Sequence, residues 1–157
     1  MSGQQTNVPL WTHWARFTAF MTERFLGGPQ VLKFAWVINF QKTGTFFYIL
    51  LLMNYYQNFS VDACVYLALH GMYGFCWMLK HFAFPDRSWE KKVTIGGGLM
   101  AFVLVLGLYW VFQYLLISGI LGPDQKMDSL TILTAAISLH TLGVVIMMTA
   151  DLSLIHI

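Results

Sequence analysis

Charged side chains divide the sequence into four long uncharged intervals. No Asp, Glu, Lys or Arg occurs in residues 43–61, 63–79, 93–123 or 129–150. Because an apolar helix of roughly 20 residues crosses a bilayer, these intervals predict four membrane-spanning helices. Their expected limits are about Thr43–Gln57, Val61–Phe84, Thr94–Ser118 and Ser129–Ala150. The first is short and contains Asn54, so a tilted or partly embedded helix is the alternative there.

Short connections join the predicted spans. They comprise Asn58–Ser60, Pro85–Val93 and Gly119–Asp128, and helices are expected to stop at Pro85 and Pro123. Connections this short make consecutive helices antiparallel neighbours. The predicted fold is therefore all-α, a polytopic transmembrane helical bundle of about four spans.

The N-terminal segment has a different pattern. In residues 11–26, apolar side chains recur on one side of a helical wheel and charged side chains on the other, with Phe20 as the exception. This pattern predicts an amphipathic helix that lies in the membrane interface and ends at Gly27–Pro29. A second amphipathic stretch, Val31–Phe40, is expected to continue along the surface.

The composition limits the class of protein. Of the 157 residues, 57% are hydrophobic and 10% are charged, against about 25% charged in an average soluble domain. This is too little charge to cover a soluble globule and too much hydrophobicity for a disordered chain. Cys64 and Cys76 both lie in apolar runs, which excludes a disulfide-stapled secreted scaffold. The class that remains is an integral, multi-pass membrane protein surrounded by membrane lipid.

The basic residues are distributed unevenly between the two sides of the predicted bundle. If the spans alternate in direction, only Lys126 lies on the side away from the N-terminus. The other eight are Arg16, Arg24, Lys33, Lys42, Lys80, Arg87, Lys91 and Lys92. Because such residues concentrate in cytoplasmic loops, the N-terminus is expected in the cytoplasm, and the endoplasmic reticulum is the expected membrane in a eukaryote. The net charge of +2 is too small to indicate nucleic-acid binding.

The last six residues, Leu152–Ile157, are set apart from the fold. As the codons CTG TCT CTT ATA CAC ATC, they match the forward translation of a transposase adapter used in sequencing libraries. The alternative is that a membrane helix simply ends in aliphatic residues and a histidine. On the adapter interpretation, the natural protein continues past Asp151. The expected organisation is then a cytoplasmic interfacial segment at 1–42, an incomplete transmembrane bundle at 43–151 and an artefact at 152–157.

Two histidines and a tyrosine are the candidates for function within the membrane. His70 and His140 lie near the middle of the second and fourth predicted spans, where an ionisable side chain is costly and indicates function. Two histidines at one depth could meet across the bundle, as a proton relay or as substrate contacts. The alternative is a neutral imidazole bonded to a backbone carbonyl or to a tyrosine of a neighbouring helix. No metal site is expected, because no carboxylate or cysteine has suitable ligand spacing beside them.

Two groups of glycines indicate close contacts between helices. Gly71 and Gly74 flank Tyr73, and small residues in membrane helices let another backbone approach. The alternative is that they leave room for a flat ligand above Tyr73. Gly96–Gly98 opens the third span and lacks the strand and the Gly-Lys-Ser/Thr sequence of a phosphate-binding loop, so it indicates close packing or a flexible start.

One stretch of the chain resembles a known superfamily. Residues 70–80 (HGMYGFCWMLK), followed by residues 84–86 (FPD) and Trp89, resemble the superfamily of steroid 5-alpha-reductases and isoprenylcysteine carboxyl methyltransferases. The preceding residues 38–45 (INFQKTGT) are similar to the upstream segment of those proteins. The resemblance covers about Val37–Trp89, and it extends to the flanks only in hydropathy.

The resemblance implies a multi-helix bundle that receives a soluble cofactor from the cytoplasm and a lipid from the membrane. In the reductases NADPH reduces an activated carbon–carbon double bond, and in the methyltransferases S-adenosylmethionine methylates a prenylcysteine carboxylate. The expected function is the N-terminal membrane portion of an NADPH-dependent, reductase-like enzyme acting on a sterol or another lipid. The alternatives are an S-adenosylmethionine-dependent lipid methyltransferase and a non-catalytic membrane subunit or small transporter.

The same resemblance bears on the cofactor and on catalytic residues. The cofactor residues of the superfamily lie mainly in its C-terminal part, so residues 1–157 are expected to bind no cofactor and to be inactive alone. No residue of this chain matches a catalytic motif of the superfamily. Catalytic residues are therefore not assigned, and His70, Tyr73 and His140 are candidates for the substrate cavity only.

Overall fold

The computed structural model of the protein describes residues 10–87, 89–121 and 130–155. The helices are α1 (Leu10–Glu23), α2 (Phe34–Tyr56), α3 (Val61–Tyr66), α4 (Met72–Ala83), α5 (Ile95–Met100), α6 (Gly107–Ile117) and α7 (Leu130–Ile155). Two π-helical turns, π1 (Leu67–Gly71) and π2 (Ala101–Leu106), join α3 to α4 and α5 to α6, so that 61–83 and 95–117 are each one continuous helical segment. The strands are β1 (Leu32–Lys33) and β2 (Lys92–Val93). The prediction of a mostly helical protein is confirmed.

Within the described residues, two helical segments are long and apolar enough to cross a membrane. They are Ile95–Ile117 and Leu130–Ala150, which coincide with the third and fourth predicted spans. In the most apolar 18-residue stretch of each segment, the buried share is 17% for Ile95–Ile117 and 0% for Leu130–Ala150. A contiguous exposed apolar surface of this kind is typical of a face that contacts lipid or another protein.

Helix α2 is longer toward its N-terminus than the sequence predicts. It begins at Phe34, so that most of the surface stretch expected at Val31–Phe40 and the span expected at Thr43–Gln57 form one helix. Five of the residues 35–41 are buried in the bundle. The expectation that this stretch lies along the surface is wrong for most of it, because Ala35, Val37, Ile38 and Asn39 are buried. The boundary expected after residue 42 therefore lies inside a helix.

The connections that precede α2 and α5 meet at one end of the bundle. Strand β1 pairs with β2 in antiparallel orientation. Two ion pairs lie beside this sheet, with Lys33 Nζ 2.9 Å from Glu90 Oε2 and Lys91 Nζ 2.7 Å from Glu23 Oε1. These contacts gather charged residues from distant parts of the sequence into a single charged end, which α1 adjoins.

The hydrophobic core lies toward the opposite end. Helix α2 contacts both the segment 61–83 and the segment 95–117. The buried core residues are Ile49, Leu52, Met53, Ala63 and Ile117. The hairpin after α2 is joined to this core, because Asn58 Nδ2 donates a hydrogen bond to the Ile117 carbonyl oxygen at 2.9 Å. These contacts hold the two helical segments against α2 and so set the position of the residues nearer its middle.

Gly71 and Gly74 lie where the segment 61–83 touches α2. A Cβ at Gly71 would press on the Phe46 ring, and a Cβ at Gly74 would overlap the backbone carbonyl of Lys42. Both glycines are buried. The packing interpretation is confirmed, and the alternative of open space for a flat ligand is wrong at these two positions because α2 fills it.

The glycine-rich start of α5 packs against the end of α1. A Cβ at Gly97 would overlap the Thr22 carbonyl, and a Cβ at Gly96 would lie too close to the Phe25 carbonyl oxygen. Thr94 adds a hydrogen bond from its hydroxyl to the Phe25 carbonyl oxygen at 2.9 Å. Of the two interpretations of Gly96–Gly98, close packing is confirmed.

Some expectations concern residues outside the described part of the chain. They include most of the third connection, with Lys126, as well as Ser129 and residues 156–157. Helix α7 continues past Asp151 to Ile155. The adapter interpretation of residues 152–157 stays a prediction.

Candidate functional site

The three residues that the sequence singles out come together in the structure. His70 lies in π1, Tyr73 in the first turn of α4 and His140 on α7. The ring centroids of His70 and His140 are 5.8 Å apart, and those of Tyr73 and His140 are 6.4 Å apart. Tyr73 Oη also donates a hydrogen bond to Met147 Sδ at 3.7 Å. The two histidines predicted at one depth are thus neighbours across the bundle.

One face of α7 turns His140 toward this site. The partly buried residues of α7 recur every three or four positions, as expected for one face of a helix. They are Leu133, Ala136, His140, Val144, Met147 and Met148. Most of the other described residues of α7 are exposed, including Leu139 and Leu142. The helix therefore packs through a narrow stripe of side chains. His140, the only ionisable residue in 130–150, lies on that stripe.

His70 is hydrogen-bonded to Tyr109, a residue that sequence reasoning missed. His70 Nδ1 and Tyr109 Oη are 2.5 Å apart. Either Nδ1–H donates to the phenol oxygen or the phenol O–H donates to Nδ1, depending on the tautomer of the ring. The Tyr66 ring lies against the imidazole, with centroids 4.2 Å apart. The partner of His70 is thus a tyrosine of a neighbouring helix, as one of the two sequence interpretations supposed.

Lys42 approaches the same site from α2. Its Nζ lies 4.9 Å from the ring centroid of Tyr109, 5.4 Å from that of Tyr73 and 5.7 Å from that of Trp77. A cation within about 6 Å of an aromatic centroid is attracted by the electrons of the ring. We call the six residues that meet here the polar cluster. Its members are Lys42, Tyr66, His70, Tyr73, Tyr109 and His140.

Two π-helical turns shape the polar cluster. His70 lies within π1, and Tyr109 follows shortly after π2. A π-turn interrupts the regular ladder of backbone hydrogen bonds and is common at functional sites. Gln41 Nε2 donates a hydrogen bond to the Leu106 carbonyl oxygen at 3.3 Å, at the end of π2. A buried amide of α2 therefore stabilises the turn that positions Tyr109.

A second buried amide lies next to the polar cluster. Gln113 is 0% exposed, and it is close to the Tyr109 side chain one helical turn before it. Neither its Oε1 nor its Nε2 has a hydrogen bond of normal geometry. A buried amide left unpaired costs free energy. Gln113 thus offers one donor and one acceptor beside the phenol.

Two cavities lie nearer the charged end. A narrow crevice is lined by Trp77, Lys80, His81, Phe84, Asp86 and Trp89. It adjoins the polar cluster through Trp77, which is also one of the rings around Lys42. A wider cleft of about 340 Å³ is lined by Arg24, Gly27, Gly28, Gln30 and Thr94. In the part of the chain that the structure describes, no group of three or more His, Cys, Asp or Glu is placed to hold a metal ion.

The chemistry of the polar cluster is that of hydrogen-bond donation. Its members supply two imidazoles, three phenols and one ammonium group, and none of them is a carboxylate. Such a set can bind an oxygen atom of a ligand and polarise it. Composition and depth pointed to His70, Tyr73 and His140, whereas Lys42, Tyr66 and Tyr109 join them only through the packing of α2, α3 and α6.

We compared the chain with models of protein families, with curated proteins and with solved structures. None of the three comparisons finds a match. The resemblance of residues 37–89 to the reductase and methyltransferase superfamily stays a prediction, and the polar cluster is the feature from which a function can be proposed.

Proposed function

We propose that this chain is the membrane portion of an NADPH-dependent, reductase-like enzyme that acts on a sterol or another lipid, and that the polar cluster binds the polar end of that lipid. The observation that carries the proposal is the hydrogen bond between His70 Nδ1 and Tyr109 Oη at 2.5 Å. A histidine paired with a tyrosine can direct the phenol proton toward a substrate oxygen. Tyr73 and His140 lie beside this pair.

The His70–Tyr109 pair suits a carbonyl group. With a hydrogen on Nδ1, the imidazole donates to the Tyr109 oxygen and leaves the phenol hydrogen free for the carbonyl oxygen of a lipid. A hydrogen bond to the oxygen of an α,β-unsaturated ketone draws electron density from its β-carbon, which is the activation that reduction of the double bond requires. The apolar body of the lipid would extend between helices whose outer surfaces are apolar and exposed.

The wider cleft at the charged end does not fit NADPH. The phosphates of a dinucleotide require several cationic or backbone donors, and Arg24 is the one cation that lines the 340 Å³ cleft. Lys33 and Lys91 are each paired with a glutamate. The proposal therefore assigns the cofactor no residue in this part of the chain, as the resemblance implies.

The proposal includes four membrane spans with the N-terminus in the cytoplasm. Helix α2 has 23 residues, which gives a length of about 34 Å, and the segment 61–83 is equally long. Both match a hydrocarbon core of about 30 Å. Phe47 and Leu79, on these two elements, are 58% and 61% exposed, as expected for lipid contact. The charged end carries Lys33, and basic residues favour the cytoplasmic side.

Cysteine labelling tests this topology. In a protein with Cys64 and Cys76 replaced by serine, Phe59→Cys lies in the hairpin after α2 and Arg87→Cys lies in the connection after α4. In cells whose plasma membrane alone is opened with digitonin, a membrane-impermeant maleimide is expected to label Arg87→Cys, and to label Phe59→Cys only after a stronger detergent also opens the endoplasmic reticulum. Labelling of both positions from the same side would show that the segment 61–83 does not cross the membrane.

Photocrosslinking tests the role of the polar cluster. The probe is a 3-keto-4-ene steroid that carries a diazirine and an alkyne, added to the protein in lipid nanodiscs. We expect Tyr109→Phe and His70→Phe each to lower crosslinking about tenfold, because one hydrogen bond to a substrate oxygen is worth roughly 1–1.5 kcal/mol. The matched control is Tyr55→Phe, since Tyr55 is 76% exposed and lies outside the polar cluster.

Two results would contradict this role. Crosslinking that is equal in the wild type, Tyr109→Phe and His70→Phe would show that the pair does not contact the ligand. Peptide mapping that places the crosslinks on exposed residues of α7, such as Leu139 and Leu142, would indicate solution in the surrounding lipid instead of binding.

A further inference from the structure

We infer that the polar cluster also binds an acidic lipid, through a singly charged oxyanion that pairs with Lys42. This inference goes beyond the proposed function, because it gives the same site a second class of ligand that would compete with a neutral ketone. It starts from Lys42, the member of the polar cluster that carries a permanent charge in water. The occupant is a hydrocarbon chain that ends in a carboxylate or in a phosphodiester.

The position of Lys42 is set by its backbone. Lys42 lies in the first half of α2 and is only partly exposed. Helix α4 packs directly against the backbone of Lys42. Gly74 of α4 lies so close to the Lys42 carbonyl that a Cβ at this position would overlap it. The side chain then extends to the rings of Tyr73 and Tyr109. Lys42 is therefore held at the level of the hydrogen-bonding side chains and not at the charged end.

The charge of Lys42 lacks an anion within the described residues. Glu23 and Glu90, which belong to the charged end, are paired with Lys91 and Lys33. No carboxylate of the described part lies within ion-pair distance of Lys42 Nζ, and the side chains nearest to it are aromatic rings. A cation at membrane depth is costly, and aromatic faces offset that cost only in part. An oxyanion would offset it further through a charge-assisted hydrogen bond.

The neighbours of Lys42 determine how much negative charge would fit. The imidazoles of His70 and His140 adjoin the rings of Tyr109 and Tyr73, over which Lys42 Nζ lies. The phenols are neutral donors, and the buried amide of Gln113 lies beside Tyr109. One ammonium with neutral donors around it matches a single negative charge, where Lys42 binds one oxygen and the neutral donors bind another. A fatty-acid carboxylate and the phosphodiester of an anionic phospholipid share this chemistry.

The experiment compares a ligand that carries a carboxylate with its uncharged methyl ester. A photoreactive fatty acid and its methyl ester are crosslinked to the whole protein in phosphatidylcholine nanodiscs, and labelled peptides are mapped. We expect the acid to label the polar cluster about tenfold more than the ester, as a charge-assisted hydrogen bond of roughly 1.5 kcal/mol would give. Lys42→Met is expected to abolish this preference, and Lys42→Arg to keep it. The control is Lys33→Met, which removes a lysine at the charged end.

The outcomes separate this inference from the proposed function. Equal labelling by acid and ester in the wild type, a comparison that needs no variant, would overturn the inference. So would a preference for the acid that persists in Lys42→Met. In either case, steroid crosslinking that still depends on Tyr109 leaves the proposed function in place. Loss of the acid signal in phosphatidylglycerol nanodiscs would identify the phosphodiester of a bilayer lipid as the occupant, and an undiminished signal would identify the free acid.

Discussion

Replacement of Gly74 by alanine is expected to lower the free energy of unfolding by about 3 kcal/mol, the upper part of the range for overpacked cores. The added Cβ would overlap the backbone carbonyl of Lys42. A backbone atom cannot rotate away as a side chain can, and a packed interior has little free volume to receive it. The segment 61–83 would have to move away from α2, which separates His70 and Tyr73 from Lys42.

The measurement is an unfolding titration with sodium dodecyl sulfate in mixed micelles, followed by circular dichroism. The matched control is Gly143→Ala, because a Cβ at Gly143 meets nothing within 4 Å. Since alanine is favoured over glycine in a helix by up to about 1 kcal/mol, this control is expected to be neutral or slightly stabilising. If Gly74→Ala unfolds at the same detergent fraction as Gly143→Ala, α2 and α4 do not approach as closely as the structure places them.

The depth of the two histidines was predictable, because position along a helix follows from counting residues. The uncharged intervals locate the middle of each apolar helix, so the sequence could place His70 and His140 at one level along the bundle. Position around the helix axis was not predictable, because it depends on which faces pack together. Tyr109 and Lys42 belong to the site because their side chains lie on the helix faces that turn toward it. No property of their own sequence neighbourhood distinguishes them.

The beginning of α2 shows where hydrophobic patterning misleads. Polar residues in an amphipathic stretch indicate the water side of a soluble helix. In a bundle with apolar outer surfaces, polar side chains turn inward because they find hydrogen-bond partners there. Gln41 does so at the Leu106 carbonyl oxygen. Within the stretch that suggested a surface helix, Asn39 is likewise buried, whereas Lys33 stays exposed at the charged end.

The π-turns are a second feature that the sequence pattern did not predict. Each inserts one residue into an otherwise regular apolar helix, and an apolar stretch has no polar positions whose period would reveal the shift. π1 changes the direction in which His70 points relative to Tyr66, and π2 does the same for Tyr109. The geometry of the polar cluster therefore depends on backbone irregularities that must be observed.

Replacement of Gly97 by alanine is expected to detach α1 from α5 and to leave the rest of the bundle folded. The added Cβ would overlap the Thr22 carbonyl, as the Cβ at Gly74 would overlap that of Lys42. Here, however, the displaced element is α1, whose contacts with the rest of the protein are mainly with α5 and the charged end. The hydrogen bond from the Thr94 amide to the Glu23 carbonyl oxygen, 2.9 Å long, would be lost with the contact.

The expected result is a local change with a global stability loss of no more than about 1 kcal/mol. It is measured by double electron–electron resonance between nitroxides at Ala15→Cys on α1 and Leu99→Cys on α5, with the native cysteines replaced by serine. The narrow distance distribution of the parent protein should become broad and shift to longer distances in Gly97→Ala.

Two controls decide whether the helix contact is responsible. Gly143→Ala should keep the narrow distribution, because its added Cβ has open space. Lys91→Met, which removes the ion pair with Glu23, should also change it little, since an exposed ion pair is worth about 0–1 kcal/mol. A narrow distribution in Gly97→Ala would mean that the glycines at the start of α5 are not what brings α1 against the bundle, whereas broadening in Lys91→Met alone would assign that role to the ion pair.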